Sequence, residues 1–225
     1  FKGIQLLVSD DIAPLDVMPE FPEIHPDDLA FLQYSSGSTG DPKGVMITHS
    51  NMVVNQTRIA ASFDDTPATI GSSWLPYFHD MGLSGGILQP LFVGFPVFLM
   101  SPTWFLQNPA RWLRAIMENN IEIAGGPNFA WKLCIDKIRD EEIEGLDLSC
   151  WKVAFNGAEP ISAQTLKSFV KRFAPYGFDP KALMPCYGMA EATLFVSAYG
   201  RYDEAVYLEI DKEEFAHNKA VPAKE

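Results

Sequence analysis

A chain of 225 residues, 47% of them hydrophobic and including 16 Phe and 5 Trp, can bury a substantial core as one large domain or two small ones. Its 17 Lys and Arg stand against 29 Asp and Glu, a net charge of -12 that excludes the broad basic face a nucleic-acid backbone requires. A membrane span is excluded as well: the most apolar stretch, residues 85–100, is broken by Gln89, Pro90, Gly94 and Pro96, falls short of ~20 apolar residues and reads as core material.

Cys134, Cys150 and Cys186 are scattered, with no CxxC pair. They read as reduced packing residues of a cytoplasmic protein, not as a disulfide framework or zinc site. His25, His49, His79 and His217 show no metal-ligand spacing. The chain starts at Phe1 without an initiator Met or secretory signal and ends in a polar tail, so it reads as a fragment of something longer. Residues 1–27 form a strand-like run followed by a Pro- and acid-rich connector, 28–200 a binding core, and 201–225 the truncated start of a following segment.

Residues 30–34 and 45–48 read as strands on either side of the stretch Tyr34-Ser35-Ser36-Gly37-Ser38-Thr39-Gly40-Asp41-Pro42-Lys43-Gly44. Its glycines let the backbone approach an anion closely and aim consecutive N–H groups at phosphate oxygens. Ser35, Ser36, Ser38 and Thr39 add hydroxyl donors, and Lys43 a compact positive charge on a flexible stem. A solvent-exposed linker of this composition would have polar flanks, which these are not. A Walker A loop is excluded, because GxxxxGK[ST] is absent and Lys43 leads into Gly44 and a strand.

Thr48-His49-Ser50 offers an N-cap for a helix over residues 51–61, with His49 as a capping or packing residue. A strand over 68–75 delivers Pro76-Tyr77-Phe78-His79-Asp80-Met81-Gly82-Leu83 at its end, without the order of a Ser/His/Asp hydrolase. Asn108-Pro109 starts a helix running to Asn119, and residues 121–124 form a strand. The turn Gly125-Gly126-Pro127-Asn128 then leads into a helix carrying Phe129, Trp131, Leu133 and Ile135. The acidic run 140–144 reads as a solvated face. Beyond it come a strand over 151–155, the loop Asn156-Gly157-Ala158-Glu159-Pro160, a helix over 162–173, and the loop containing Tyr187-Gly188-Met189-Ala190-Glu191.

This alternation predicts an α/β fold, mostly parallel sheets flanked by helices, with ligands beyond the carboxyl ends of the strands. The three loops then converge on one site, with residues 77–83 alongside. Gly157 and Ala158 allow a flat base against the backbone, Tyr187 can stack on it, and Glu191 can hold Mg²⁺ together with substrate phosphates.

Taken together, the 34–44 loop, Asn156–Pro160 and Tyr187–Glu191 resemble the adenylate-forming superfamily over about residues 28–200. The segments 75–83, 125–130 and 185–193 look most like its long-chain fatty acyl-AMP ligases. The resemblance implies part of a large N-terminal domain that joins a fatty acid to ATP as acyl-AMP, releases pyrophosphate and passes the acyl group to an acyl carrier protein. An acyl-CoA ligase fragment, or a nucleotide- or lipid-binding module without catalysis, stays open beside that reading. It further implies nucleotide contacts from Ser35, Ser36, Gly37, Ser38, Thr39, Gly40, Lys43, Gly44, Asn156, Gly157, Ala158, Glu159, Tyr187, Gly188, Met189 and Ala190. The same resemblance implies that Lys43, His79 and Glu191 act in catalysis, Glu191 through Mg²⁺, and that the acyl chain lies between the His79 loop and Gly125, Gly126, Pro127, Asn128 and Phe129. The family's later ribose-binding acid, hinge and lysine-bearing small domain have no counterpart in this sequence; Lys181, Lys212, Lys219 and Lys224 lack the matching context.

Overall fold

The computed structural model describes residues 20–35, 43–199 and 202–223. The strand-like run 1–8, most of the connector and the glycine-rich centre of the phosphate loop, residues 36–42, lie outside the described residues. Strands β1 (Leu29–Ser35) and β2 (Lys43–Thr48) form an antiparallel pair whose register closes with Ser35 opposite Lys43. Both ends of the expected phosphate loop are therefore fixed to a hydrogen-bonded ladder.

Helix α1 (His49–Phe63) follows directly and is one turn longer than its periodicity predicts. Thr48 is its N-cap: the Thr48 hydroxyl accepts from the Asn51 N–H at 3.1 Å, and Asn51 Oδ1 accepts from the Thr48 N–H at 3.1 Å. Two otherwise orphaned donors are satisfied reciprocally. His49 is the first helical residue, and its N–H bonds the Asp28 carbonyl.

Among the described residues the main sheet has six strands in the order β4-β3-β5-β6-β7-β8. Strands β3 (Gly71–Ser73), β4 (Val97–Leu99), β5 (Ile123–Gly126), β6 (Val153–Asn156) and β7 (Leu183–Gly188) run parallel. β8 (Phe195–Ala198) returns antiparallel on β7. The alternation seen in the sequence yields the expected α/β sheet, with several local differences: Gly125 and Gly126, expected in a turn, close β5, and Asn156, expected in a loop, closes β6. The strand expected over 68–75 shrinks to three residues, because Thr66 and Thr69 close a turn through the Thr69 N–H to Thr66 carbonyl bond and the Thr66 N–H to Thr69 hydroxyl bond, each 3.0 Å. Tyr187 and Gly188 belong to a strand rather than a loop, and the chain reverses after them through a 3₁₀ turn, Ala190–Ala192. Only glycine fits at position 188, where a Cβ would lie 2.2 Å from the Leu194 carbonyl oxygen.

Met81–Leu88 forms a π-helical segment that continues as α2 (Gln89–Val93). The 85–100 run is not simply core: Leu91 is 75% and Leu99 62% exposed. α2 lies at the surface, and β4, at the edge of the sheet, has a neighbour on one side only among the described residues. Helices α3 (Pro102–Gln107), α4 (Ala110–Glu118), α5 (Asn128–Lys137) and α6 (Ala163–Phe173) share the main core, where Trp131 stacks on Trp151 (centroids 5.5 Å apart) and Trp112 meets both edge-on. Each of these fully buried rings contributes about 2 kcal/mol or more of burial free energy. A smaller cluster forms where Ile59 and Phe63 of α1 cover Ile123, Val153 and Met184. Near the end of the chain, α7 (Lys212–Ala216) is flanked by a bridge between Ile210 and Pro222. Among the described residues no helix is long and apolar enough to cross a membrane.

Candidate active site

A cavity of about 430 Å³ runs between α1 and the sheet. Its mouth lies at the carboxyl ends of β6 and β7, lined by His79, Gly157, Ala158, Tyr187, Gly188, Met189, Ala190 and Glu191. Away from those residues its wall is mostly apolar, with Ile59 and Phe63 from α1, Ile123 and Phe155 from the sheet, and Phe195 from β8, beside the polar Asp65 and Gln89. Since Ile123 opens β5, the cavity spans the sheet from its carboxyl to its amino edge. These wall residues carry no motif; the topology alone brings them together.

The residues implied by the family resemblance divide into two sets. His79, Gly157, Ala158 and residues 187–191 surround the cavity mouth, and Ala158 is held there with φ 69, a left-handed conformation that costs a non-glycine residue stability. Asn156, Glu159 and residues 125–129 lie outside the lining. The Asn156 side chain shares the face of β6 with Ala154 of the main core, is 0% exposed, and leaves both polar atoms without a partner among the described residues. The Glu159 carboxylate accepts the Phe129 N–H at 2.5 Å, placing a negative charge at the amino end of α5. Asn128 Oδ1 accepts the Ser162 N–H at 3.0 Å, so these two side chains join the starts of α5 and α6.

The cavity runs from the His79 loop beneath α1 and not toward residues 125–129. Phe155 and Trp74 explain this. A Cβ on Gly125 would lie 2.1 Å from the Phe155 carbonyl and 2.5 Å from its ring, while Phe129 packs edge-on against Trp74 at 6.0 Å. The space beside Gly125 is thus filled by aromatic side chains of the fold itself.

His79 Nδ1 lies 2.8 Å from Asp80 Oδ1, and both residues line the cavity. The hydrogen bond to the Asp80 carboxylate raises the imidazole above its ordinary value, burial opposes this, and the nearby charge adds to it. Asp80 Oδ1 also accepts the Met81 N–H at 2.7 Å, which fixes the carboxylate at the start of the π-helical segment. Gln33 of β1 donates to the Phe78 carbonyl at 3.3 Å, tying the phosphate-loop hairpin to the histidine loop.

Lys43 and Gly44 open β2 at the base of the hairpin, exposed, with Lys43 forming no ion pair among the described residues. Ser35 closes β1 opposite Lys43, whereas Ser36, Gly37, Ser38, Thr39 and Gly40 lie outside the described residues. Glu191 stands exposed at the cavity mouth in the 190–192 turn. No group of three His, Cys, Asp or Glu residues suited to a metal occurs among the described residues. One carboxylate at the mouth fits Mg²⁺, a cation often held by one or two carboxylates with phosphates and water completing its shell. Cys186, which also lines the cavity, donates its thiol to the Met184 carbonyl at 3.1 Å, and burial pushes it up to about 12, so it packs as a thiol and offers no nucleophile.

The family model described as AMP-binding enzyme matches residues 5–215. The chain belongs to the AMP-binding enzyme family. It is 47% identical over 204 residues to the medium-chain-fatty-acid–[acyl-carrier-protein] ligase TtuA of Teredinibacter turnerae, covering 91% of this chain and 32% of that protein. It is 42% identical over 222 residues to the medium-chain-fatty-acid–[acyl-carrier-protein] ligase JamA of Moorena producens, covering 98% of this chain and 38% of that protein. The crystal structure of the fatty acyl-adenylate ligase from L. pneumophila in complex with acyl adenylate and pyrophosphate superposes with a TM-score of 0.87 at 46% identity, over 91% of this chain and 36% of that one. The chain spans about a third of the length of the curated relatives it matches.

Proposed function

We propose that the complete protein joins a fatty acid to ATP, forming acyl-AMP and pyrophosphate, and passes the acyl group to an acyl carrier protein. The observation carrying this reading is one cavity, mostly apolar along its length, at one end of which His79, Gly157, Ala158, Tyr187 and Glu191 gather. An alkyl chain is accommodated within while its carboxylate stays at the polar mouth. The names of TtuA and JamA favour a carrier-protein acceptor.

In the reaction, a carboxylate oxygen attacks the α-phosphorus, the bond from that phosphorus to its bridging oxygen breaks, and the electron pair leaves on pyrophosphate. Lys43 and the donors of residues 35–44 hold the polyphosphate, while Gly157, Ala158 and Tyr187 flank the adenine. His79, kept protonated to higher pH by Asp80, orients the incoming carboxylate. Glu191 holds Mg²⁺, which supplies charge neutralisation on the phosphates. Such positioning and electrostatic stabilisation are what phosphorus-centred displacement needs.

Pyrophosphate release by the complete protein, followed by acyl transfer to carrier protein or to CoA, tests this. Fatty-acid-dependent release with carrier loading is expected. Absence of fatty-acid dependence overturns the substrate class, and efficient acyl-CoA formation in place of carrier loading overturns the acceptor.

A further inference from the structure

The π-helical segment turns one face to the cavity. Met81, Gly85 and, where α2 takes over, Gln89 line it at every fourth position, so two full side chains flank a stretch of wall that is bare backbone. A glycine inside a helix costs stability relative to alanine, which calls for a compensating reason. Its two fellow glycines on the segment have one in the fold. A Cβ on Gly82 would run into the Pro76 carbonyl oxygen, and one on Gly86 would lie 2.6 Å from Ser73 Oγ. Gly85 is under neither constraint. Its φ is not positive, and beyond its own helix an added Cβ would meet, among the described residues, only Leu194 Cδ2 at 3.5 Å, an ordinary van der Waals distance. Leu194 lines the cavity too, and Gly85 is half-buried, open to the space that a side chain there would enter.

We propose that Gly85 is a specificity-determining residue that keeps the cavity open to extended acyl chains, its missing side chain leaving the room in which methylenes lie. The proposal rests on the fatty-acid reading above and adds to it the residue that sets how long a chain is admitted. The wall around Gly85 is held on both sides. Gln56 of α1, 2% exposed, donates to the Ser84 carbonyl at 3.0 Å, and Gly86 has no room for a Cβ beside Ser73 of β3, so the backbone at 85 is fixed between α1 and the sheet. Leu194 is fixed as well, its carbonyl accepting the Met189 N–H at 2.9 Å. A larger residue at 85 therefore fills the cavity instead of displacing its walls.

The test compares butanoic, octanoic and dodecanoic acids in ATP-dependent pyrophosphate release by the complete protein, for wild type, Gly85→Ala and Gly85→Leu. In Gly85→Leu the ratio of kcat/KM for dodecanoic acid to that for butanoic acid falls by roughly tenfold or more, the discrimination a pocket shows for a methylene it cannot seat. Gly85→Ala moves the ratio the same way by less, and its thermal unfolding midpoint is no lower than that of wild type, because the fold itself does not need glycine there. The ratio is internal to each variant, so a loss of folded protein does not mimic the effect. Where Gly85→Leu does not fold, Gly85→Ala decides. An unchanged ratio, or a lowered midpoint in Gly85→Ala, overturns the role of Gly85 while leaving fatty-acid activation standing. Wild-type preference for butanoic acid over the two longer acids overturns it as well. Failure of wild type on all three, with another carboxylate class activated, overturns both readings.

Discussion

The side-chain amide of Asn55 hydrogen-bonds both backbone polar groups of Phe195: Nδ2 donates to its carbonyl at 2.9 Å, and its N–H donates to Oδ1 at 3.0 Å. A third bond, from Nδ2 to the Ala192 carbonyl at 3.1 Å, reaches the turn that carries Glu191. One residue of α1 therefore holds β8 and the candidate magnesium ligand in place. Asn55→Leu leaves these part-buried groups without partners and is expected to cost about 2 kcal/mol or more in urea unfolding, with weaker nucleotide binding alongside. Unaltered stability would show that the groups find other partners.

Lys43 is exposed at the base of the hairpin, so its loss should not disturb the fold. Lys43→Ala is expected to weaken ATP binding by about tenfold, the worth of a charge-assisted contact to phosphate, while moving stability by less than about 0.5 kcal/mol. Calorimetric titration of the complete protein checks the first, and thermal unfolding the second. Unchanged affinity removes the loop from the nucleotide site.

For Glu191, the charge is the variable to remove. Glu191→Gln keeps a carbonyl oxygen but loses the negative charge, so activation is expected to fall at limiting Mg²⁺ and recover partly as the metal is raised. Identical Mg²⁺ dependence in variant and wild type would return Glu191 to the status of a surface acid.

The His79–Asp80 pair has a defined pH sign. The imidazole is raised above its ordinary 6.5 in the folded state, so the pair's stabilising contribution is fully present below pH 6.5 and fades as pH climbs through the elevated value. Side-chain exposure of about half at His79 keeps that contribution small through solvent screening. Asp80→Asn should lower the His79 pKa, read from ring-proton NMR shifts. A titration that does not move would assign the elevation to another group.

Much of this architecture was legible because its signals are local. The 30–34 and 45–48 strands, the Thr48 cap of α1 and the helix over 162–173 each follow from a few adjacent side chains. What was not legible depends on distant partners. Ile59, Phe63, Phe155 and Phe195 look like any core residues until the sheet order sets them around one space. Phe195–Ala198 became a strand because β7 offered it a free edge, and Leu91 and Leu99 stayed exposed because α2 and β4 lie at a margin of the fold. The site motifs were visible as words, yet their residues part company in space: Gly157 and Ala158 reach the cavity, while Asn156 is buried outside its lining and Glu159 bonds the amino end of α5.

Of the five tryptophans, Trp74, Trp112, Trp131 and Trp151 sit in the main core, Trp104 lies on α3, and none lines the cavity. The emission of these five indoles will therefore follow the assembly of one layer and stay nearly silent when a ligand enters on the other side of the sheet. A flat fluorescence titration would say nothing against binding. An optical handle on the site has to be introduced, and Tyr187→Trp, at the cavity mouth and already aromatic, puts it where a bound base would quench it.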